Sequence, residues 1–393
     1  MTIRRLSPRR ALATTAVTVT ATVAVLLAGC ATNSTTTAAP AGDDAEAPGT
    51  GGTAIGFIFV GPKDDYGYNQ AAYEGSQAVA AAYPDLEVLT AENVPEDDNA
   101  SRVMESMIRK GAKIIFATSY GHKDPALKVA AANPDVVVLQ QGNIVDGEVP
   151  PNFGTYFGTV YEPVYLAGIV AGTTTKTNKL GYVYAFPISQ TLDNINAFQL
   201  GAASVNPDVQ TYVVNTSSWC DPAKQAEATS SLLSQGVDVI SQHQDCTATI
   251  IRTTEAAGAY TVGYHADASE LAPNGWLTGS QWDWGPLYTE MVAAIVAGEF
   301  TGSEYNANFR VGLKTGDNPF VQSAYGPAVT DGAKALVEEA KERISAEDGS
   351  PFAGPVVDQA GEVRVPAGTV PDYQTIESID YFVEGVIGQI PSS

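Results

Sequence analysis

Residues 54–60, Ala-Ile-Gly-Phe-Ile-Phe-Val, form an uninterrupted apolar run, the pattern of a strand buried on both faces of a parallel sheet. The run opens into a polar, aromatic stretch at 61–69, after which 71–83 has the spacing of a helix that stops at Pro84. The unit repeats, with strands predicted over 86–90, 112–118, 136–139 and 152–159 and helices over 99–110 and 125–132. A small-residue helix at 161–173 begins a second count. Its strands fall at 180–185, 209–215, 237–241 and 260–264, separated by helices at 189–205, 222–235 and 247–257. A strand at 276–281 and a helix at 286–297 follow, then a hairpin formed by 354–357 and 363–365, and a partly helical stretch at 373–388. Strands alternating with helices at short spacing predict an α/β chain with two doubly wound parallel-sheet lobes. The expected division is 54–160 for the first lobe and 161–281 for the second. Residues 282–325 should return to the first lobe and 326–393 should pack across both.

The N-terminus obeys a different pattern. Arg4, Arg5, Arg9 and Arg10 precede an apolar run from Ala11 to Leu27, and Leu27-Ala28-Gly29-Cys30 closes it. This is the layout of an export signal, 1–29, and its last four residues resemble a bacterial lipobox in which Cys30 takes the lipid. The paired arginines also resemble a twin-arginine signal. A transmembrane helix is the alternative, but the run is short and thick with threonine. Residues 30–53, rich in Thr, Ala, Pro, Gly and Asp, have too little apolar surface for a core and are expected to be a flexible tether.

The net charge of −23 grows more negative once the leader arginines are removed, which argues against nucleic acid or an anionic membrane surface as a partner. With Cys30 assigned to lipid, Cys220 and Cys246 remain in an oxidising compartment. A disulfide between them and two reduced buried cysteines both fit the sequence.

Candidate chemistry gathers at the strand ends. Residues 213–222, Val-Val-Asn-Thr-Ser-Ser-Trp-Cys-Asp-Pro, place Trp219 just past a strand and before an Asp-Pro helix start. Ligands of open α/β sheets bind outside the carboxyl ends of the strands, so an aromatic here is well placed to meet one. The alternative is a gap-filling tryptophan. Asn69 can donate and accept, whereas Asp245 and Asp267 can only accept when ionised and would select N–H donors. As loop residues, each could instead be a turn or cap residue. His122, His243 and His265 each stand two residues before an aspartate, which raises a metal site, but the first belongs to one lobe and the others to the second. No Gly-x-Ser-x-Gly, phosphate-cradling glycine loop or nearby Cys-His pair argues for an enzyme.

The ordered pieces Asp65-Tyr66-Gly67-Tyr68-Asn69, Tyr120-Gly121-His122-Lys123-Asp124-Pro125, Glu162-Pro163-Val164-Tyr165-Leu166-Ala167-Gly168, Ser218-Trp219-Cys220-Asp221-Pro222 and Phe382-Val383-Glu384-Gly385-Val386-Ile387-Gly388 together resemble the basic membrane protein family. These are lipoprotein substrate-binding proteins of ABC importers and include purine nucleoside receptors. The resemblance implies a type I periplasmic-binding-protein fold, in which crossover segments join two lobes around a ligand cleft. It also implies a purine held between aromatic rings, with Tyr68, Asn69, Trp219 and Asp267 as site residues and Tyr120 and Asp245 as further candidates. Nucleoside-binding members carry a lysine near 278–284, where this chain has Trp282. The chain is more similar to the Trp-x-Asp-Pro branch associated with free bases such as adenine, with Trp282 expected to exclude ribose. The implied partners are a small purine and the permease and ATPase subunits of an importer. The receptor itself is expected to be monomeric, lipid-anchored outside the cell membrane, and without cofactor or metal. A nucleoside receptor, a sugar or signal receptor on the same fold, and a sensory lipoprotein are the competing readings.

Overall fold

The computed structural model describes residues 46–316 and 319–391; the leader, Cys30 and most of the tether lie outside them. In the first half, β1 (Ala54–Ile58), α1 (Tyr68–Ala82), β2 (Glu87–Ala91), α2 (Asp98–Ile108), β3 (Ala112–Ala117), α3 (Lys123–Ala132), β4 (Val137–Gln141) and β5 (Phe153–Gly158) follow one another. Then come α4 (Tyr161–Thr174), β6 (Lys179–Tyr184), α5 (Ser189–Ala203), β7 (Gln210–Asn215), α6 (Pro222–Ser234), β8 (Val239–His243), α7 (Ala248–Ala256), β9 (Tyr260–His265) and β10 (Trp276–Trp282). The rest comprises α8 (Trp284–Val296), β11 (Asn308–Val311), β12 (Phe320–Gln322), α9 (Asp331–Ser345), β13 (Val356–Val357), β14 (Val363–Val365), α10 (Tyr373–Ile376) and β15 (Val386–Ile387).

Two sheets result, ordered β11-β5-β4-β3-β1-β2 and β12-β10-β9-β8-β6-β7-β15. Every pairing within them is parallel except β10 with β12. The chain passes from one sheet to the other after β5, after β10 and after β11, so three connections link the lobes. The segment 282–325 is therefore shared. Its α8 packs on α1 and β11 extends the first sheet, but β12 pairs with β10 in the second. The tail is less helical than expected: α10 is one turn, and β15 instead adds a parallel strand beside β7.

In the first sheet, Phe57 and Phe116 stack on neighbouring strands with centroids 4.5 Å apart, and Tyr288 of α8 covers them. The buried hydroxyls of Tyr156 and Tyr288 both reach Gln141 Oε1, which satisfies polar groups that would otherwise be orphaned in this apolar layer. In the second lobe, α4 is buried on all sides and lies close against α5. A Cβ added at Gly201 would come 2.0 Å from the Tyr165 carbonyl oxygen, so the small residues of this pair set how near the two helices approach.

The tether expectation needs correcting at its end. Residues 46–53 are packed: the Gly49 N–H donates to the Asp135 carbonyl at 3.0 Å, and Thr53 N–H to Gly111 at 3.1 Å. Gly49 has a φ of +87°, and a Cβ there would meet Ile295 at 2.2 Å. Composition alone suggests a free segment, but backbone hydrogen bonding and the absence of a side chain at Gly49 let it pack against the loops that lead into β3 and β4.

Candidate functional site

The ends of strands from both sheets converge on one slot. Val60 follows β1 and Ser119 and Tyr120 follow β3, while Tyr68 opens α1. From the second lobe come Ile188 and Gln190 at the start of α5, Trp219 after β7, His243 at the end of β8, Asp245 just beyond it, and His265 at the end of β9. The free space between them is about 30 Å³, room for about one water, so the slot is narrow in this structure and a ligand the size of a base needs its walls to part.

Local bonding explains how Trp219 and Asp245 are held. Asp221 caps α6 by accepting the N–H groups of Ala223 and Lys224, and Pro222 supplies the first helical residue, so the loop carrying Trp219 ends at a fixed point. Cys220 and Cys246 are disulfide-bonded with Cα atoms 5.3 Å apart, which ties the Trp219 loop to the Asp245 loop. The Asp245 N–H donates to the Trp219 carbonyl at 2.9 Å, and the Gln225 amide donates to the Asp245 carbonyl at 2.7 Å. The Trp219 ring meets Phe186 edge-on at 5.3 Å and His243 at 5.7 Å. Ser217, Cys246 and His265 all have φ between +52° and +75°. Such non-glycine conformations cost about 1–3 kcal/mol each and cluster at functional sites.

The first lobe closes onto this wall. The Thr247 hydroxyl donates to the Tyr66 carbonyl at 2.7 Å and the Tyr66 hydroxyl donates to Glu270 at 2.9 Å, both across the cleft. Tyr68 meets the His265 ring edge-on at 5.1 Å. Asn69 is engaged within its own loop: its Oδ1 accepts from Gly61 N–H at 3.0 Å, and its amide donates to Asp65 at 2.8 Å. Asp65 in turn accepts the N–H groups of Gly67, Asn69 and Gln70.

Burial, and then the nearby charges of Asp65 and Glu96, push the Asp245 carboxyl well above the usual range; burial also raises Asp65. His243 is pushed down to about 3 by burial, and burial with the neighbouring His243 lowers His265 well below an ordinary imidazole. Both rings are therefore neutral hydrogen-bonding groups at physiological pH.

Tyr68, Tyr120, Trp219 and Asp245 thus meet in one place. Three other expected residues do not line it. Asn69 is 1% exposed and spends its capacity on the 61–70 loop. Asp267 is exposed and accepts the Ser269 N–H at 2.9 Å, the turn role that its short polar side chain also allows. Trp282 is buried outside the slot, stacked on Trp284 at 4.3 Å, with its indole N–H donating to His265 Nδ1 at 3.0 Å. It reaches the slot only through that histidine. The histidines do not converge either: His122 Nε2 bonds the Val94 carbonyl, whereas His243 and His265 are neighbours in the second lobe. Among the described residues no group of three metal-ligating side chains occurs. Sequence reasoning missed His243, His265, Ser119 and Gln190 as lining residues. The two histidines carried a signal, their place at strand ends, whereas Gln190 lies in a helix start with none.

Residues 53–326 match the family described as Bmp, ABC transporter substrate-binding protein PnrA-like. The chain belongs to this family. A purine-binding protein of Brucella abortus (strain 2308) is 34% identical over 86% of this chain and 93% of its own. A Haloferax volcanii protein named for glucose binding in an ABC transporter is 32% identical over 92% of this chain and 87% of its own. Among solved structures, a solute-binding protein of an ABC transporter system from Aeropyrum pernix K1 superposes with a TM-score of 0.65 at 18% identity, covering 74% of this chain and 91% of that one. The fold is thus of the periplasmic-binding-protein type, and the protein is a substrate-binding protein of an ABC transporter, not an enzyme. No helix among the described residues is long and apolar enough to cross a membrane.

Proposed function

We propose that the slot captures a purine, read as a free nucleobase such as adenine, and that lobe closure around it presents the docking surface for the permease. The observation that carries this is an aromatic slot, Tyr68 and Tyr120 on one lobe facing Trp219 on the other, with a single carboxylate, Asp245, among its lining residues. Aromatic faces hold a planar base by stacking, worth about 1–3 kcal/mol per base, and one or two polar groups fix its orientation. The purine-binding relative supports the same class of ligand. Cys30 as a lipid anchor on the outer face of the membrane, delivery to permease and ATPase subunits, and action as a monomer complete the reading.

A sugar-containing ligand is the second reading, favoured by the Haloferax relative and by one feature of the cleft. A polar chamber lined by Lys123, Asn143, Ser189, Gln374 and Glu377 shares Tyr120 and Gln190 with the slot. Trp282 does not line the slot, so this reading gives it no direct contact with a ribose. The test is to denature purified protein and identify any released compound by ultraviolet spectrum and mass, then titrate refolded, emptied protein with bases, nucleosides and hexoses. A base as the tightest ligand upholds the proposal. A nucleoside keeps the purine and assigns the chamber to ribose, and a hexose with no purine binding overturns it.

A further inference from the structure

His265 ends β9 with φ at +75°, a backbone bend that separates its ring from the regular pleat. The ring contacts Tyr264 at 3.9 Å and Tyr68 at 5.1 Å between centroids. Its Nδ1 accepts the Trp282 indole N–H at 3.0 Å. An indole nitrogen only donates, so Nδ1 carries no proton and the neutral ring holds its proton on Nε2. Trp282 is kept in that orientation by Trp284, Phe157 and Phe320, with centroids 4.3, 4.8 and 4.1 Å away. Its one polar atom would be orphaned in this apolar layer without His265.

Nε2 lies 4.0 Å from Asp245 Oδ1, beyond hydrogen-bond reach, and both residues line the slot. The second-lobe wall therefore shows a donor of set identity beside a carboxyl group, whose carbonyl oxygen accepts whether or not the group is ionised. We infer that Trp282 is a positioning residue and that His265 with Asp245 forms the specificity-determining pair, reading an edge of a heterocycle where an N–H adjoins an unprotonated ring nitrogen or a carbonyl oxygen. The inference rests on the purine reading for the class of ligand. A hexose hydroxyl both donates and accepts and would tolerate either histidine tautomer, whereas a heterocycle edge has a written donor and acceptor order. Fixing the tautomer through a buried indole has a recognition role only for the second kind of ligand. A site built to bond a particular ligand atom rejects an analogue lacking it, because its own buried group is left unpaired.

Two measurements on the full-length protein test this. Nitrogen NMR of ligand-free protein labelled with 15N-histidine should show His265 protonated on Nε2 and bare on Nδ1. Trp282→Phe should mix the two forms. Titration calorimetry with adenine, and with deaza-analogues in which each ring nitrogen in turn is replaced by C–H, should reveal one analogue that binds about 10-fold or more weakly to the wild type. That discrimination should survive in His265→Gln, whose amide N–H can stand in for Nε2–H, and disappear in His265→Phe. A proton on Nδ1 in the wild type, an unchanged spectrum in Trp282→Phe, or equal analogue losses in wild type and His265→Phe would overturn the inference. Wild-type protein that binds no purine would sink the purine reading and the edge-reading with it. The tautomer lock is read without ligand, so the two failures are told apart.

Discussion

The two walls of the cleft are built on the same plan, strand ends feeding polar and aromatic loops, yet they hold their polar groups differently. On the first-lobe side, Asp65 and Asn69 bond each other, Gly61 and the start of α1, so their capacity goes into shaping a loop. On the second-lobe side, Asp245 and His265 are held by their surroundings through backbone or the far ring nitrogen, leaving Oδ1 and Nε2 facing the slot 4.0 Å apart. On the reading proposed above, one wall supplies a lid of rings and the other supplies recognition. A disulfide, two capping bonds and a buried indole brace the recognising wall. The lid is joined to it by bonds at Tyr66, to Thr247 and Glu270. This division suits a receptor whose ligand docks on one lobe before the other closes.

The sharpest way to break the comparison is Asp245→Ala. Loss of its hydrogen bond, which leaves the ligand's own polar group buried and unpaired, should weaken purine binding about 100-fold. Because burial and the neighbouring carboxylates oppose its ionisation, the same variant should melt no lower than the wild type. Binding left intact, read by calorimetry, would remove Asp245 from the recognising wall. Next, Trp219→Ala should weaken binding by about 10- to 100-fold through the lost stacking face. An unchanged dissociation constant in a well-folded variant would show that the ring only plugs the loop.

A smaller effect is expected in stability. Asp193, in α5, is fully buried, and among the described residues neither of its carboxyl oxygens has a side-chain partner; burial, then the nearby Glu377, raises it well above the ordinary aspartate range. A carboxyl whose folded pKa is raised stabilises the fold below its unfolded pKa, and that contribution is lost as pH rises toward the folded value. Asp193→Asn should therefore match the wild type near pH 4 and melt higher at pH 8, by thermal denaturation at both values. The reverse order at pH 8 would mean that the ionised carboxylate has a favourable partner. At the bottom of the scale, Asp267→Ala should change affinity by less than about 2-fold, since this residue only closes a turn. A loss like that at Asp245 would extend the recognising wall beyond the slot.

Sequence patterns carried the fold's repeating part because the information there is local. An apolar run such as 54–60 needs no partner to be read as a buried strand, and Asp221-Pro222 announces a helix start by itself, which puts Trp219 at a strand end. The strands β11, β12 and β15, four residues or fewer, have no room for a period, and only pairing with β5, β10 and β7 defines them. The same limit governs the site. That Tyr68, Tyr120, Trp219 and Asp245 are chemically suited to a ligand could be read residue by residue. Which polar groups remain free for that ligand is an allocation of hydrogen bonds among residues far apart in sequence. Asn69 is consumed by Asp65 and Gly61, Asp267 by its own turn, and Trp282 by a histidine 17 positions away. Donor and acceptor capacity is written in the chain, but its spending is decided only where the folded backbone brings partners within about 3 Å.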